Sequence, residues 1–188
     1  FLKNKKIYTV VDVGTGSGCI IITLAALEKS GEAGPGSAGN HRYHAIDIST
    51  KALTVAKRNA QIHGVQNIHF HKGNLLAPLV SKKKLPPLLI LANLPYGQPV
   101  DFKNHALRFE PQLAINGGKD GLNLYKKLFV QLQSLKTPWT LIAEIDPRQE
   151  KILHTILPRF FPARTVTITK DWNNRARVLT VEYLQLSN

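Results

Sequence analysis

Ile7-Tyr8-Thr9-Val10-Val11-Asp12-Val13-Gly14-Thr15-Gly16-Ser17-Gly18 is the stretch whose reading decides the fold. Residues Ile7 to Val13 form a β-branched, apolar run, the composition of a buried strand. Gly14, Gly16 and Gly18 then permit tight turns and close backbone approach, and Ile20 to Leu27 follows as a helical pattern. A strand, a glycine turn and a helix make the opening βα unit of an open α/β sheet, and such sheets bind ligands at that turn. The spacing is G-x-G-x-G, not the G-x-G-x-x-G of dinucleotide folds, and Asp12 just before it would repel a pyrophosphate. A cationic ligand suits it better. The same glycines also fit a purely structural strand-to-helix turn.

Working outward, apolar runs alternate with helical patterns, as in a parallel sheet with helices on both faces. Tyr43 to Ile48 reads as the second strand. Ser49 is an N-cap for a helix carrying Leu53, Ala56, Ala60 and Ile62, which Gly64 terminates. Val65 to His71 gives a third strand and Leu88 to Ala92 a fourth. An irregular stretch runs through Gly118, and a helix follows with Leu122, Tyr125, Leu128, Phe129 and Leu132 at helical spacing. Trp139 to Ile145 is a fifth strand, and Pro147 opens another helix. Thr165 to Thr169 and Val178 to Tyr183 alternate around Asp171-Trp172-Asn173-Asn174, an antiparallel hairpin whose Trp172 is expected to pack against the sheet. The glycine-rich stretch from Gly31 to Asn40 reads as a surface loop. The expected fold class is therefore α/β: a Rossmann-like, mostly parallel seven-stranded sheet ending in an antiparallel hairpin, in one domain over residues 1–188.

Composition narrows the function classes. The 188 residues are 43% hydrophobic and 20% charged, ordinary for a globular domain. No apolar run approaches the roughly 18 residues that span a membrane, and Phe1-Leu2-Lys3-Asn4-Lys5-Lys6 lacks a signal-peptide core, which points to a cytoplasmic protein. The single Cys19 cannot form an internal disulfide, and in Cys19-Ile20-Ile21-Ile22 it reads as a small buried hydrophobe. The chain has no Met, so its start is expected to lie upstream. A formal net charge of +13 attracts polyanions and suggests contact with RNA or the ribosome. The seven His show no metal-ligand spacing, and His69 and His71 read as sheet-surface residues.

Asn93-Leu94-Pro95-Tyr96 follows the fourth strand directly. It places a side-chain amide, a backbone carbonyl and an aromatic ring at a strand end, as a site handling a planar NH2 group requires. The lone pair of such a nitrogen is delocalised. Two acceptors, the Asn93 side-chain oxygen and the Leu94 carbonyl, would take its two hydrogens and turn the lone pair toward an electrophile. Pro95 keeps Leu94 out of the helical region, and Tyr96 would cover the flat face of the substrate. The tetrapeptide also reads as a turn that closes a strand. Asp47, ending the second strand, would accept both hydroxyls of a ribose, or else cap a helix. With Asp12 drawing an ammonium group, the ligand becomes a nucleoside joined to an amino acid with positive charge at the junction, which describes S-adenosyl-L-methionine.

On these residues the chain resembles the class I methyltransferases, and more narrowly the HemK-type family that methylates the glutamine side-chain nitrogen of peptide-chain release factors. Phe109-Glu110-Pro111-Gln112-Leu113-Ala114, Gly117-Gly118-Lys119-Asp120-Gly121-Leu122, Glu144, Gln149 and the segment Asp171 to Val178 also look like that family. The resemblance implies a glutamine amide held by Asn93, Leu94, Pro95 and Tyr96, with Glu110 as a further substrate contact or a loop-ordering residue, and no metal. It implies cofactor contacts from Asp12, Gly14, Thr15, Gly16, Gly18, Asp47, Ile48, Asn74, Leu75 and Asn93. Three departures stand out. Leu94 replaces the family's usual first proline, resembles ribosomal RNA adenine dimethyltransferases, and is expected to loosen the loop. Asn74 stands where family members carry an adenine-binding Asp, and the family's N-terminal helical domain is absent from residues 1–188. Two other functions stay open: an N6-adenine methyltransferase acting on RNA or DNA, and a non-catalytic nucleic-acid-binding module of the same fold.

Overall fold

The computed structural model describes residues 9–31, 41–80, 85–98, 116–162 and 164–183. Glu110 and the Phe109 to Ala114 stretch lie outside them, as do Ile7 and residues 32–40. Strand β1 is Thr9–Val13, helix α1 Cys19–Ser30, β2 Arg42–Asp47, α2 Thr50–Ile62, β3 Ile68–Lys72 and the short α3 Ala77–Val80. Then come β4 Leu88–Ala92, α4 Asn123–Gln133, β5 Trp139–Glu144, α5 Glu150–Phe160, β6 Thr165–Lys170 and β7 Ala176–Tyr183.

The strands form one seven-stranded sheet in the order β3-β2-β1-β4-β5-β7-β6. The first five are parallel, and β7 inserts antiparallel between β5 and β6. The order in which strands are added reverses at the β1/β4 boundary, where open α/β sheets leave a crevice beyond the carboxyl ends of their strands. Register brings those ends level, with Val13 opposite both Ile46 and Ala92 and Asp47 opposite Lys72.

All five residues of β1 and of β4 are buried, as expected of strands covered on both faces. Alternate residues divide between two cores. Val10, Tyr43, Ala45, Leu89 and Leu91 pack with Ile21, Ile22 and Ala25 of α1 and Ala60 of α2. Val11, Val13, Ile46, Ile90 and Ala92 pack with Leu128, Phe129 and Leu132 of α4 and Leu153 and Leu157 of α5. No helix among the described residues is long and apolar enough to cross a membrane.

Four sequence expectations need correcting. Ile62 is 66% exposed, because it sits about half a helical turn from the Leu53, Ala56 and Ala60 face. Cys19 is exposed: it begins α1 at the mouth of a groove shared with Ile22, Thr23, Asn59 and His63, and its Sγ lies 3.2 Å from Ser17 Oγ. The third strand starts at Ile68 rather than Val65, although Val65 is buried as expected of its apolar side chain. Trp172 does not pack on the sheet: it is fully exposed, in the turn beyond Lys170 and Ala176, the last paired residues of β6 and β7.

Candidate active site

The glycine turn is built by backbone geometry. Gly14, Gly16 and Gly18 adopt φ of 72°, 56° and 83°, a left-handed path that side chains disfavour. The amides of Gly14 and Thr15 both donate to the Ile46 carbonyl, at 2.8 and 3.0 Å. Asp47, at the end of β2, ties the turn down: Gly16 N donates to its Oδ2 at 2.9 Å and Ser49 N to its Oδ1 at 2.8 Å. Ser49 then caps α2 by accepting from Ala52 N, so Asp47 stays out of the capping position itself. Carboxylate oxygens carry further lone pairs, and Asp47 remains half-buried with room to accept from hydroxyls.

Asp12, the carboxylate that precedes the glycines, lies beneath the turn. It is 1% exposed and accepts from Thr15 Oγ1 at 2.7 Å. Burial pushes its pKa up from an ordinary 3.8 to about 6, against the lowering by Thr15 and the Ile21 amide, with a further rise from the negative charge of Asp47. Two carboxylates thus sense each other at one end of the sheet, and no cation pairs with either among the described residues. That arrangement suits a ligand with positive charge. Ile48 stands beside this site, 52% exposed. Beyond β3, Asn74 is exposed and Leu75 is buried with φ of 55°, a left-handed conformation that non-glycine residues rarely hold. Gln131 of α4 fixes this turn, accepting from Leu76 N at 2.7 Å and donating to the Asn74 carbonyl at 3.3 Å.

The tetrapeptide leaves β4 directly beside the glycine turn. Asn93 is exposed, whereas Leu94 is 2% exposed and reaches within 2.9 Å of where a Cβ on Gly14 would stand. Leu94 therefore anchors the loop rather than loosening it, since its side chain joins the core that a proline would reach less deeply. The fully buried Tyr125 adds a second anchor: Leu94 N donates to its hydroxyl at 3.3 Å, and that hydroxyl donates to the Glu144 carbonyl. Tyr96 is half-buried, and burial, reinforced by the Glu144 charge, raises its pKa and keeps the phenol protonated.

The resembling segment Gly117 to Leu122 supports the same loop from outside. Gly117 N donates to Gly97 O at 2.9 Å, and a Cβ on Gly117 would stand 2.7 Å from Tyr96 Cα. Gly121, with φ of 72°, leaves no room either, since its Cβ would stand 2.5 Å from the Tyr96 carbonyl. Gln149, fully buried, donates to Gly121 O at 2.8 Å and accepts from Asp146 N at 2.9 Å. The holding roles of Tyr125 and Gln131 were missed in the sequence, because helical spacing marks them only as helix residues. Gln149 had a readable signal in Asp146-Pro147-Arg148-Gln149, a capping-box pattern.

Glycines after β1, an acid after β2, a strained turn after β3 and an amide after β4 all meet at the carboxyl edge of one sheet. That combination defines a nucleotide-cofactor α/β domain of the methyltransferase type. The methyltransferase-domain family model matches residues 4–129, and the chain belongs to this family. It is 36% identical to the release factor glutamine methyltransferase of Enterococcus faecalis over 178 residues, covering 93% of this chain and 59% of that protein. Identity to the enzyme of the same name from Dictyoglomus turgidum is 34% over 175 residues, covering 92% and 58%. The chain thus spans about three fifths of the length of the curated relatives it matches. Among solved structures it superposes on the ribosomal protein L11 methylase of Lactobacillus delbrueckii subsp. bulgaricus with a TM-score of 0.55 and 19% identity, covering 94% of this chain and 69% of that one, a likeness of fold.

Proposed function

We propose that this domain transfers a methyl group from S-adenosyl-L-methionine to the side-chain nitrogen of a glutamine in a peptide-chain release factor. The observation that carries the reading is the anchored Asn93–Tyr96 loop beside the Gly14–Gly18 turn, with two carboxylates that have no cation partner among the described residues. Asp47 would take the ribose hydroxyls, Asp12 would attract the cationic amino acid end, and Gly14, Thr15, Gly16 and Gly18 would line its approach. Ile48, Leu75 and Asn74 would border the adenine, Asn74 as an uncharged acceptor. When bound, the cofactor supplies an activated methyl on a sulfonium.

The protein's own part is to prepare the nucleophile. Asn93 Oδ1 and the Leu94 carbonyl accept the two amide hydrogens, which turns the nitrogen lone pair out of conjugation. Both acceptors also favour the positive charge that develops on that nitrogen. Pro95 and the Tyr125 hydroxyl hold the Leu94 peptide in place, so little reorganisation is left for the reaction. Tyr96 packs against the planar amide, and Glu110 contributes substrate contact or loop order. The basic surface would add contact with RNA or the ribosome.

The test is methyl transfer from labelled cofactor to a purified release factor and to the same factor with the target Gln→Ala. Label on the first and none on the second supports glutamine. Equal labelling, or none, rejects it. An exocyclic adenine amine is the second reading, favoured by Leu94, and label removed by ribonuclease but not protease would establish it. Calorimetry with the cofactor addresses the binding-module reading, which stands only if no binding is detected.

A further inference from the structure

Trp172 is the most exposed large hydrophobic residue described, at 105% of its reference area. It sits at the tip of the β6–β7 turn, between Lys170 and Arg175, both exposed. The turn is rigid. Asp171 Oδ1 accepts from the amides of Asn173 at 2.9 Å and Arg175 at 3.0 Å, and Asn174 takes a φ of 58°. Asp171 Oδ2 meets Arg177 Nε at 3.4 Å. The one carboxylate in the turn is thereby consumed internally, leaving Lys170 and Arg175 to face solvent with no ion pair among the described residues.

The position of the turn is also defined. Strand β7 pairs antiparallel with β5, with Val178 opposite Glu144, so the residues before Val178 lie beyond the carboxyl end of β5. Parallel β4 ends at the same level, Ala92 opposite Ala143, and Asn93 follows. Ile145 N donates to Arg177 O at 2.8 Å, which fixes the stem of the hairpin to that edge. The charge of Arg177 reaches the Tyr96 hydroxyl. An aromatic platform between two cations therefore stands on the rim that carries Asn93 and Tyr96.

An indole open on both faces costs solvation and contributes nothing to this fold. Its neighbours specify what it accepts: a flat π-surface flanked by anionic groups, as single-stranded nucleic acid provides by stacking its bases and presenting its phosphates. We propose that the Lys170–Arg175 turn docks single-stranded RNA, with a base on Trp172 and phosphates on Lys170 and Arg175. This locates the RNA contact that the proposed function assigns to the basic surface, and it rests on that part of the reading.

The test is fluorescence anisotropy of the full chain with a fluorescein-labelled oligouridylate of about twelve nucleotides, titrated at several salt concentrations. Trp172→Ala is expected to weaken binding roughly ten-fold, the effect of losing one stacked base. Lys170→Ala with Arg175→Ala is expected to reduce the slope of log affinity against log salt by about 0.7 for each cation removed. Intrinsic fluorescence should quench on RNA addition in the wild type and not in Trp172→Ala, because Trp139, the other tryptophan, is buried. Unchanged RNA affinity in Trp172→Ala overturns the proposal. So does a raised KM for the release factor with RNA affinity intact, which would assign the turn to the protein acceptor. Neither binding readout needs methyl transfer, so failure of the glutamine assignment leaves this result separately legible.

Discussion

Asp12→Asn should change the pH dependence of stability in a way that isolates one carboxyl. The native pKa of Asp12 is raised from 3.8 to about 6 by burial. A carboxyl raised on folding binds more protons native than unfolded, so its ionisation opposes folding. That cost is full above pH 6 and fades as pH falls toward 3.8. The shift of about 2.2 units, 6 minus 3.8, corresponds to about 3 kcal/mol. Asn keeps the shape and can still accept from Thr15 Oγ1, but leaves its NH2 group short of a partner, a cost of about 1–3 kcal/mol that does not vary with pH. The quantity to measure is therefore the difference in unfolding free energy between wild type and Asp12→Asn, by urea melts from pH 8 to pH 4. It should move by about 2.5 kcal/mol in favour of the wild type as pH falls, most of it between pH 6 and pH 4. Parallel curves would refute the claim that Asp12 is a destabilised buried carboxyl. A cationic cofactor binding the ionised form should weaken about ten-fold per unit below pH 6 in wild type and show no such dependence in the variant.

Other perturbations separate the roles of the remaining residues. Asn93→Ala should leave cofactor affinity by calorimetry within about two-fold and lower kcat by about 10²–10³, the scale of losing one preorganised charge-stabilising group. Tyr125→Phe removes only the hydroxyl between Leu94 N and the Glu144 carbonyl, and should cost about 1–3 kcal/mol in chemical denaturation together with a fall in kcat that exceeds any change in KM for the acceptor. Gly16→Ala meets nothing within 4 Å and should cost only the left-handed backbone term of about 1–2 kcal/mol. Gly121→Ala adds a Cβ 2.5 Å from the Tyr96 carbonyl and 2.7 Å from Gln149 Nε2, so thermal melts should rank it about 1–3 kcal/mol below Gly16→Ala.

Much of this architecture was legible because the central strands β1 and β4 are buried on both faces. Leu88 to Ala92 is continuous, apolar and bounded by prolines and Asn93, and the strand occupies those five residues. Leu122, Tyr125, Leu128, Phe129 and Leu132 keep helical spacing, and all are buried. Chain position is also legible at Asp47 and Asn93, which stand at the carboxyl ends of β2 and β4 as their places after apolar runs predict. Periodicity failed where an apolar residue has no neighbour to cover it, as at Cys19, Ile62 and Trp172. Long-range partners were invisible for another reason: nothing local distinguishes Gln131 or Tyr125 from any helix residue, and their function arises from contacts 55 and 31 positions away. Leu94 shows the same limit in reverse, since a proline-to-leucine departure reads as a looser loop until the core it enters is known.

Tandem mass spectrometry of the release factor after incubation with S-adenosyl-L-methionine and either wild type or Asn93→Ala tests the central assignment. A single methyl on the side-chain nitrogen of one glutamine with wild type, and its near loss with Asn93→Ala, is the predicted result. An unmodified glutamine with active, cofactor-binding wild type, or equal methylation by both proteins, would contradict it.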